Sequence, residues 1–548
     1  MNPVKYVQES SYSLSLSFKE IKNTQINTKS EFVNIMLDLI SFNNNRLNEK
    51  FTFLDAGCGQ GNFIINAIDR YLSNVNQQEL GSDLISNNIS KYFLGYEYDP
   101  DLYAVAKKNI YDLLLIKGHF SNSLSHSITD SIIQRGDFLK YNITNKFDFI
   151  IENPPFLRYD NIPKEYVKWI RNNFDCFRGR SDYCIPFIQH SLDLLSEKGK
   201  LAIICTNRFS LCDYGRNLRN MIINNFNITN IIDCTSIQPF DKDVSTYPWI
   251  YIIDKNIKKY INYVHLIESE SYSIDNLLWN KLDSNILLNK PWRFLEKNEL
   301  LLLKQVEKNN KNKLGDSLYG VDIKVGLATG ADGIFINPLK EANIEKEVLT
   351  PFILSNKLKN DIFDYEKDVL LNTWDINNTK KLINLNEYLN TSKYLDVHQS
   401  ELKKRYVAKK NKDNWYRLID KFDNKILKKE KIIIPSLRSS LCLYFDEGIA
   451  YPHHNCYFII KNNERKPSLK SIGAILSSNT IKKLAEIYAI KFNSNATRLL
   501  KASFCELPMP DIEKILDNEK DLESAFINQE FAKINEICNK LFETKFKL

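Results

Sequence analysis

Short apolar runs alternate with amphipathic segments along the first half of the chain. The runs have the length and composition of buried strands, and the segments between them repeat apolar residues at the spacing of helices. Strands are predicted at 51–55, 92–97, 147–151, 201–205 and 249–253, and helices at 28–40, 63–72, 102–109, 183–195 and 216–224. This alternation predicts an α/β domain built on a mostly parallel, doubly wound sheet.

The pattern changes beyond about residue 256. Residues 256–313 carry many charges with weak periodicity, and we interpret them as a connector. The chain beyond them has the mixed texture of an α+β domain. We therefore predict two domains, 1–290 and 291–548, and we interpret the Ser/Asn-rich stretches 74–90 and 117–131 as surface loops of the first domain.

Composition narrows the class of protein. Of the 548 residues, 43% are apolar, and no run of about 18 apolar residues indicates a membrane span. The ten cysteines form no CxxC pair, so neither a disulfide framework nor a zinc ribbon is indicated. His453 and His454 suggest metal chelation, but no cysteine or carboxylate spacing completes a site, and we interpret the pair as structural. Residues 1–6 lack the features of a signal peptide, so we expect a cytoplasmic, nucleoid-associated prokaryotic protein with no membrane partner and no metal.

The net charge of +7 is mild for this length, so nucleic-acid binding would need a local basic cluster. Residues 401–438 form such a cluster, in which lysine and arginine far outnumber the acids. Two interpretations stay open. The stretch is either a solvated face or, with Tyr406, Trp415 and Tyr416 nearby, a surface that follows phosphates.

The glycine-rich stretch Asp55-Ala56-Gly57-Cys58-Gly59-Gln60-Gly61-Asn62-Phe63 follows the first predicted strand and opens a helix. Its glycines allow a sharp turn and a close approach of the backbone to a ligand. A dinucleotide site of the GxGxxG type is one interpretation. Asp55 argues against it, because a carboxylate repels a pyrophosphate and suits the ammonium of a cofactor that carries an amino acid. Cys58 is interpreted as a small packing residue.

Two further acids follow in order along the chain. Glu97 ends the predicted strand 92–97, where a carboxylate can hold two ribose hydroxyls. Asp137 comes before the strand 147–151 and could accept a hydrogen bond from an adenine amino group. Together with Asp55, these acids favour a ligand-binding loop over an ordinary strand–helix turn.

The tetrapeptide Asn153-Pro154-Pro155-Phe156 follows the strand 147–151. An exocyclic amine on a base is a poor nucleophile, because its lone pair delocalises into the ring. The carbonyls of the Asn153 side chain and the Pro154 backbone can accept its N–H bonds, and the Phe156 ring can stack on the base. The prolines restrict φ, so that the carbonyls point one way. An ordinary Asn-Pro turn is the alternative interpretation.

This ordered set resembles the class I S-adenosylmethionine-dependent methyltransferases. More narrowly, it resembles the γ-class DNA adenine-N6 methyltransferases of restriction–modification systems, the TaqI/Eco57I-like group, over nearly the whole chain. The resemblance implies a Rossmann-like class I methyltransferase domain followed by an α+β target-recognition domain. The implied cofactor is S-adenosyl-L-methionine, and its implied binding residues are Thr28, Asp55, Gly57, Gly59, Gly61, Phe63, Glu97, Asp137 and Asn153.

The resemblance also implies a catalytic set. Its members are Asn153, Pro154, Pro155, Phe156 and Phe240. Phe240 lies in 238–246, which is similar to the segment that brings a second aromatic ring to the target base, although core packing would explain it equally. Phe156 replaces a commoner tyrosine and keeps the stacking face.

Two candidates have plain structural alternatives. Thr28 or Ser30 can be the N-cap of the helix 28–40, and Lys29 stands where the family commonly has proline. Asp182, at the start of the helix that follows the catalytic loop, is either a helix cap or a neighbour of the cofactor.

The C-terminal half is similar to the group's target-recognition domain in looser pieces. They are Gly315-Asp316, 326–330, 414–416, 431–435 and 476–479. The resemblance implies methylation of N6 of a flipped adenine in specific duplex DNA, bound through the C-terminal domain and the cleft between domains. It also implies a restriction–modification context, with a cognate endonuclease that acts independently. Another amine acceptor (cytosine N4, an RNA base, a glutamine amide) and a non-catalytic DNA-specificity subunit stay open as alternatives.

Overall fold

The computed structural model describes most of the chain. The described residues are 26–43, 50–75, 81–242, 247–256, 258–269, 271–287, 291–292, 294–295, 297–338, 343–358, 362–363, 367–376, 381–410, 412–438, 440–462, 467–492, 496–498 and 501–544. The chain divides into two compact units, Met1–Phe294 and Leu295–Leu548. The sequence placed this division at 290/291.

The first unit is built on a nine-stranded sheet among the described residues. Its strands are β1 Phe53–Asp55, β2 Phe93–Glu97, β3 Ile133–Arg135, β4 Phe147–Glu152, β5 Leu195–Thr206, β6 Asn227–Asp233, β7 Pro248–Asp254, β8 Tyr260–His265 and β9 Asn280–Asp283. The order across the sheet is β3-β2-β1-β4-β5-β7-β6-β8-β9. The five neighbouring strands β3, β2, β1, β4 and β5 are parallel to one another. Strand β7 runs antiparallel between β5 and β6. The predicted α/β class with a mostly parallel sheet is confirmed.

Helices cover both faces of this sheet, which explains why its central strands read as continuous apolar runs. They are α1 Ser30–Leu39, α2 Asn62–Asn74, α3 Ser82–Tyr92, α4 Pro100–Ile116, α5 Asn122–Ile132, α6 Lys164–Asn173, α7 Cys184–Asp193, α8 Arg208–Leu211 and α9 Arg216–Asn225. The β4 side chains point alternately into two apolar cores, with Ile150 in one and Ile151 in the other. The ends of β1, β2 and β4 therefore meet at one edge of a rigid, doubly covered sheet.

The interpretation of 74–90 and 117–131 as surface loops is wrong for their described parts. Helices α3 and α5 occupy most of them, while residues 76–80 lie outside the described residues. Each helix buries an isoleucine pair four residues apart, Ile85 with Ile89 and Ile128 with Ile132. The many serines and asparagines hid this spacing, because they favour caps and turns when read one residue at a time.

The interpretation of 256–313 as a connector is also wrong. Strands β8 and β9 extend the sheet of the first unit, with β8 parallel to β6. Residues Lys297–Asn309 form a helix of the second unit. Ile261 of β8 is buried in the sheet. Even a largely polar strand near the edge of a sheet therefore carries apolar residues on its inner face.

The second unit is α+β, as predicted. Its strands are β10 Asn312–Lys313, β11 Val321–Val325, β12 Leu349–Ile353, β13 Asp368–Leu371, β14 Lys431–Pro435, β15 Leu437–Arg438, β16 Tyr444–Asp446, β17 Tyr451–Pro452, β18 Cys456–Lys461, β19 Ile490–Phe492, β20 Ala496–Arg498 and β21 Pro508–Met509. Its helices are α10 Lys297–Asn309, α11 Asp332–Phe335, α12 Leu389–Val397, α13 Gln399–Leu402, α14 Tyr406–Lys410, α15 Asn424–Leu427, α16 Leu469–Ser477, α17 Asn479–Tyr488, α18 Lys501–Cys505, α19 Ile512–Asp517, α20 Glu519–Ile527 and α21 Phe531–Leu541. The largest sheet of this unit among the described residues has four strands, in the order β11-β18-β14-β16. Across the described part of the chain, every helix is too short or too polar to span a bilayer.

Candidate active site

The glycine-rich loop joins β1 to α2 and is tied to the neighbouring strand. The Cys58 amide donates to the carbonyl of Tyr96 in β2 at 2.9 Å, and the Gly61 amide donates to the Cys58 carbonyl at 2.7 Å. Gly59 and Gly61 have φ of 57° and 91°, values that side chains disfavour. A Cβ added at Gly59 would meet no described atom within 4 Å, so the loop backbone borders open space.

The three predicted acids lie at the carboxyl ends of adjacent parallel strands. Glu97, the last residue of β2, accepts from the Gly59 amide at 2.8 Å and from the Asp99 amide at 2.7 Å. Asp55, the last residue of β1, accepts from the Ile64 amide in the first turn of α2 at 3.2 Å. Asp137 follows β3 and accepts from the Tyr166 hydroxyl. The sheet therefore brings together three acids that span 82 positions of the sequence, from Asp55 to Asp137.

An opening of about 400 Å³ of empty space, partly continuous with solvent, is lined by Glu97, Asp137 and several aromatic side chains. Its lining includes Gly57, Glu97, Asp137, Tyr98, Phe138, Tyr183 and Phe187. A slot with apolar walls and carboxylates at its ends suits a flat heteroaromatic ring that carries hydroxyl and amino donors. The sequence missed Tyr98, Tyr183 and Phe187 as lining residues, because aromatic residues near strand ends and helix starts are also ordinary core residues.

Burial raises the pKa of the acids behind this opening. It raises the pKa of Asp55 to about 8, with a smaller contribution from the nearby Glu97 charge. It raises the pKa of Glu152, the last residue of β4, to about 8 as well. The pKa of Asp137 is also raised by burial, against an opposing hydrogen bond from Tyr166. A cation bound beside these carboxyl groups would favour their charged forms.

Asn153 follows β4, and its amide is held in one orientation. Its Nδ2 donates to the Ile26 carbonyl at 2.7 Å and reaches the Thr28 Oγ1 at 3.3 Å. A backbone carbonyl can only accept, so the NH₂ group must face Ile26 and the side-chain oxygen must point the other way. The Asn153 Oδ1 is buried and has no hydrogen-bond partner among the described residues. A buried acceptor without a partner is costly, and it marks a place prepared for an external donor.

The segment 26–29 that holds Asn153 is itself paired with the chain around Phe240. Thr28 and Phe240 form an antiparallel bridge, flanked by bonds from the Lys29 amide to the Pro239 carbonyl at 3.0 Å and from the Asp241 amide to the Asn27 carbonyl at 3.1 Å. This pairing brings two remote parts of the chain to the tetrapeptide 153–156. The remainder of the predicted segment, 243–246, lies outside the described residues.

A second opening, with about 470 Å³ of empty space, is bordered by the tetrapeptide. Its lining comprises Ile26, Asn27, Thr28, Gly57, Cys58, Gly59, Asn62, Phe63, Asn153, Pro154, Pro155 and Phe156. It shares Gly57 and Pro155 with the first opening, so the two are adjoining. The Phe156 and Phe240 rings meet edge to face, with centroids 5.4 Å apart. Phe240 is 1% exposed, so it supports Phe156 from the core in this conformation.

The N-cap predicted at Thr28 or Ser30 is wrong, and the helix-cap alternative for Asp182 is not confirmed. Helix α1 begins at Ser30, with Lys29 at the N-cap position, and no described side chain caps it; the Thr28 hydroxyl faces Asn153 instead. Helix α7 begins at Cys184, and the Asp182 carboxylate accepts from the Tyr214 hydroxyl at 2.6 Å. It also lies 3.5 Å from an Arg208 nitrogen. Asp182 borders neither opening, whereas its neighbour Tyr183 borders the first one.

In the second unit, part of the basic stretch 401–438 is used internally. Arg405 donates to the carbonyls of Thr329, Trp415 and Arg417 at 2.8–3.1 Å. Lys431 is fully buried and pairs with the fully buried Asp446 at 2.5 Å. These two cations stabilise the fold, and the phosphate-following interpretation is left with the exposed lysines of the stretch.

The histidine pair has a carboxylate nearby that the sequence spacing did not reveal. The Nε2 of buried His453 lies 3.1 Å from an oxygen of Asp332, which also accepts from the Thr329 hydroxyl. One ligand atom from each of Asp332, His453 and His454 lies within 4.8 Å of the others. The His453–Asp332 hydrogen bond joins the turn-rich segment 326–333 to the end of β17, and the structural interpretation of the pair stays a prediction.

Comparison with known proteins matches part of this sequence to one family. A family model described as Eco57I restriction-modification methylase matches residues 94–240, which span Glu97, Asp137, the tetrapeptide and Phe240. The chain carries an Eco57I-like restriction-modification methylase domain. The resemblance expected from the motifs is thereby confirmed.

Two relatives align with nearly the whole chain, beyond the residues that the family model matches. The type II methyltransferase M.BstVI of Geobacillus stearothermophilus is 29% identical over 518 residues, 90% of this chain and 91% of the relative. The type II methyltransferase M.XhoI of Xanthomonas vasicola is 26% identical, over 94% of this chain and 95% of the relative. Among solved structures, the type IIL restriction-modification enzyme MmeI in complex with DNA aligns with a TM-score of 0.61 at 13% identity, over 96% of this chain and 75% of that one. The fold of both units is therefore shared with restriction-modification enzymes.

Proposed function

We propose that this protein transfers a methyl group from S-adenosyl-L-methionine to N6 of an adenine flipped out of duplex DNA, at a specific site. The observation that carries the proposal is the buried Asn153 Oδ1, which has no partner among the described residues and belongs to a residue that lines the second opening, hereafter the glycine-loop pocket. The type II methyltransferases that resemble the chain from end to end support the reaction class.

The residues around the first opening fit the cofactor. Glu97 accepts from the Gly59 amide and lines this opening, where a carboxylate at the end of β2 suits two ribose hydroxyls. Asp137, beside the aromatic wall, suits the amino group of the cofactor's adenine, and buried Asp55 favours positive charge nearby. When bound, S-adenosylmethionine supplies an electrophilic methyl carbon on a sulfonium and needs no metal.

Asn153 and Pro154 act on the acceptor. The Asn153 Oδ1 accepts one N–H of the exocyclic amine and the Pro154 carbonyl accepts the other, which draws the lone pair out of conjugation with the ring. The bonds from Nδ2 to Ile26 and Thr28 keep the amide from presenting its NH₂ group to the amine. The amine nitrogen would gain the methyl group as the methyl–sulfur bond of the donor breaks, which leaves a neutral thioether, and the nitrogen would then release one proton to solvent.

The target base must leave the duplex to reach this acceptor. Flipping costs a few kcal/mol, and stacking on an aromatic ring returns roughly 1–3 kcal/mol. Phe156 borders the opening and is the ring that would stack on the base. The Phe240 ring lies behind the Phe156 ring. In this conformation Phe240 acts by fixing the angle of Phe156.

The second unit supplies specificity in this proposal. Its size and its α+β fold suit a target-recognition domain, and its remaining exposed lysines suit phosphates. The description of the matching family favours a restriction-modification context, in which a separate endonuclease would cut the unmodified site.

A methyl-transfer assay on mixed-sequence duplex DNA, read by mass spectrometry of the nucleosides, tests the proposal. We expect N6-methyladenine. Cytosine N4 methylation would replace the acceptor and keep the chemistry, whereas methylation of RNA or protein alone would overturn the proposal. Long-read mapping of methylated adenines in cells that express the chain would then identify the DNA site.

A further inference from the structure

We propose that the methylase domain has a phosphate-binding surface of its own, formed by Arg158, Arg171 and Arg180 on the segment after the catalytic tetrapeptide. This surface holds the backbone of the DNA strand whose base enters the site. The inference rests on the proposed function and adds a DNA contact that is separate from target recognition by the second unit.

An aromatic ring organises two of the three arginines. The guanidinium carbons of Arg171 and Arg180 each lie 5.6 Å from the centroid of the Tyr159 ring. Arg171 Nη2 donates to the Tyr159 hydroxyl at 3.1 Å and to the Gly179 carbonyl at 2.7 Å. These acceptors are neutral, so the Arg171 guanidinium is fixed without a paired carboxylate among the described residues.

Partial neutralisation comes from one carboxylate. Arg180 pairs with Asp160, and the two side chains are 72% and 66% exposed. An ion pair that is this exposed is worth little, so a phosphate can compete for the guanidinium. Three exposed cations and one exposed anion give the surface a net charge of about +2. The guanidinium groups of Arg171 and Arg180 are held together over the Tyr159 ring, and two positive charges in one place favour the binding of an anion.

Backbone contacts place this surface beside the active site. Arg158 lies two residues after Phe156, and the carbonyl of Leu157 between them accepts from the Tyr183 amide at 3.0 Å. Tyr183 lines the cofactor opening. A strand that delivers a base to Phe156 would therefore pass close to these guanidinium groups.

The neighbouring Arg178 shows what a structural arginine looks like in the same segment. Its Nη1 donates to the carbonyls of Arg171, Phe174 and Phe177 at 3.1–3.2 Å and closes the end of α6. A planar guanidinium that keeps free donors can bind a phosphate through two parallel hydrogen bonds. We therefore leave Arg178 out of the surface.

The test is the salt dependence of DNA binding by the full chain, measured by fluorescence anisotropy on a duplex with the mapped site and on one without it. For Arg171→Gln/Arg180→Gln we expect the slope of log affinity against log salt to fall by about 2, equally on both duplexes. The exposed Arg158 side chain makes no hydrogen bond or ion pair with the residues that the structure describes, and Arg158→Gln should lower the slope by about 1. The matched control, Lys108→Gln/Lys117→Gln, neutralises two exposed ion-paired lysines elsewhere in the unit and should leave the slope unchanged.

Cofactor binding by calorimetry shows whether each variant is folded. If Arg171→Gln/Arg180→Gln and Arg158→Gln both bind cofactor and both keep the wild-type slope of log affinity against log salt, the proposed surface is overturned. The proposed function would stand. A loss confined to the duplex with the mapped site would also overturn it, because that outcome indicates base reading. A wild-type chain that neither binds nor methylates DNA would overturn both proposals together.

Discussion

Buried polar groups at the carboxyl edge of the first sheet differ from two buried cations of the second unit. At the carboxyl edge of the first sheet, Asn153 keeps an acceptor without a partner among the described residues, and Asp55 keeps one oxygen in the same state. In the second unit, Arg405 gives its donors to backbone carbonyls and Lys431 is closed on Asp446. The first arrangement costs stability and awaits a ligand, whereas the second holds a loop-rich unit together.

Loss of the unpartnered acceptor should have the largest effect. We expect Asn153→Ala to lower the single-turnover rate of methyl transfer by about a thousandfold, the scale found when one polar group that stabilises a transition state is removed. Cofactor affinity should stay within a few fold. Asn172→Ala, at an exposed position in α6, is the control and should behave as wild type. Transfer that survives Asn153→Ala within a few fold would contradict the role given to this side chain.

Opening the closed pair of the second unit should affect stability and leave the chemistry intact. Lys431→Met leaves the Asp446 carboxylate buried without its cation, at a cost of about 3 kcal/mol in the free energy of unfolding. Denaturant titration measures this loss, and exposed Lys428→Met should change the value by less than about 0.5 kcal/mol. A loss below about 1 kcal/mol would show that the backbone amides around Asp446 suffice to stabilise the carboxylate.

The buried acids of the first unit predict a pH dependence. Burial raises the pKa of Glu152 from its ordinary value of 4.5 to about 8 in the folded chain. The folded state thus binds the extra proton between these values, and the free energy of unfolding falls as the pH rises from about 5 to 8. Glu152→Gln should flatten this fall by up to about 1.4 kcal/mol per pH unit. Exposed Glu197→Gln should leave it unchanged, and a wild-type slope in Glu152→Gln would contradict the high pKa.

The smallest expected effect concerns the orientation of Asn153. Thr28→Val removes the weaker of the two bonds to Nδ2, so the single-turnover rate should fall about threefold to tenfold, and Thr28→Ser should restore it. Cofactor affinity separates this role from the direct cofactor contact that the resemblance implies. A weaker cofactor affinity with an unchanged rate at saturation would assign Thr28 to the cofactor.

Local motifs explain why much of the site could be predicted. Asp55, Glu97 and Asn153 each follow an apolar run within a few residues, and parallel strands necessarily bring such positions to one edge. The orientation of the Asn153 amide could not be predicted, because its partner Ile26 is 127 residues away and contributes a backbone atom. Nothing in the identity of residue 26 encodes that contact.

The second unit was less accessible to sequence reasoning for the same physical reason. Arg405 reaches Thr329 across 76 residues, and Asp332 reaches His453 across 121. A count of charges therefore overstated the surface available for phosphates and missed the carboxylate beside the histidines. Local chemistry predicts strand-end sites well, whereas buried charges in a loop-rich unit need the fold.

The most direct measurement is a structure of the protein with an unreactive cofactor analogue and a duplex that contains the mapped site. The account predicts the exocyclic nitrogen of an extrahelical adenine at about 2.6–3.2 Å from the Asn153 Oδ1, with Nδ2 still bonded to the Ile26 carbonyl. An Nδ2 that faces the amine, or a base bound away from the glycine-loop pocket, would contradict it.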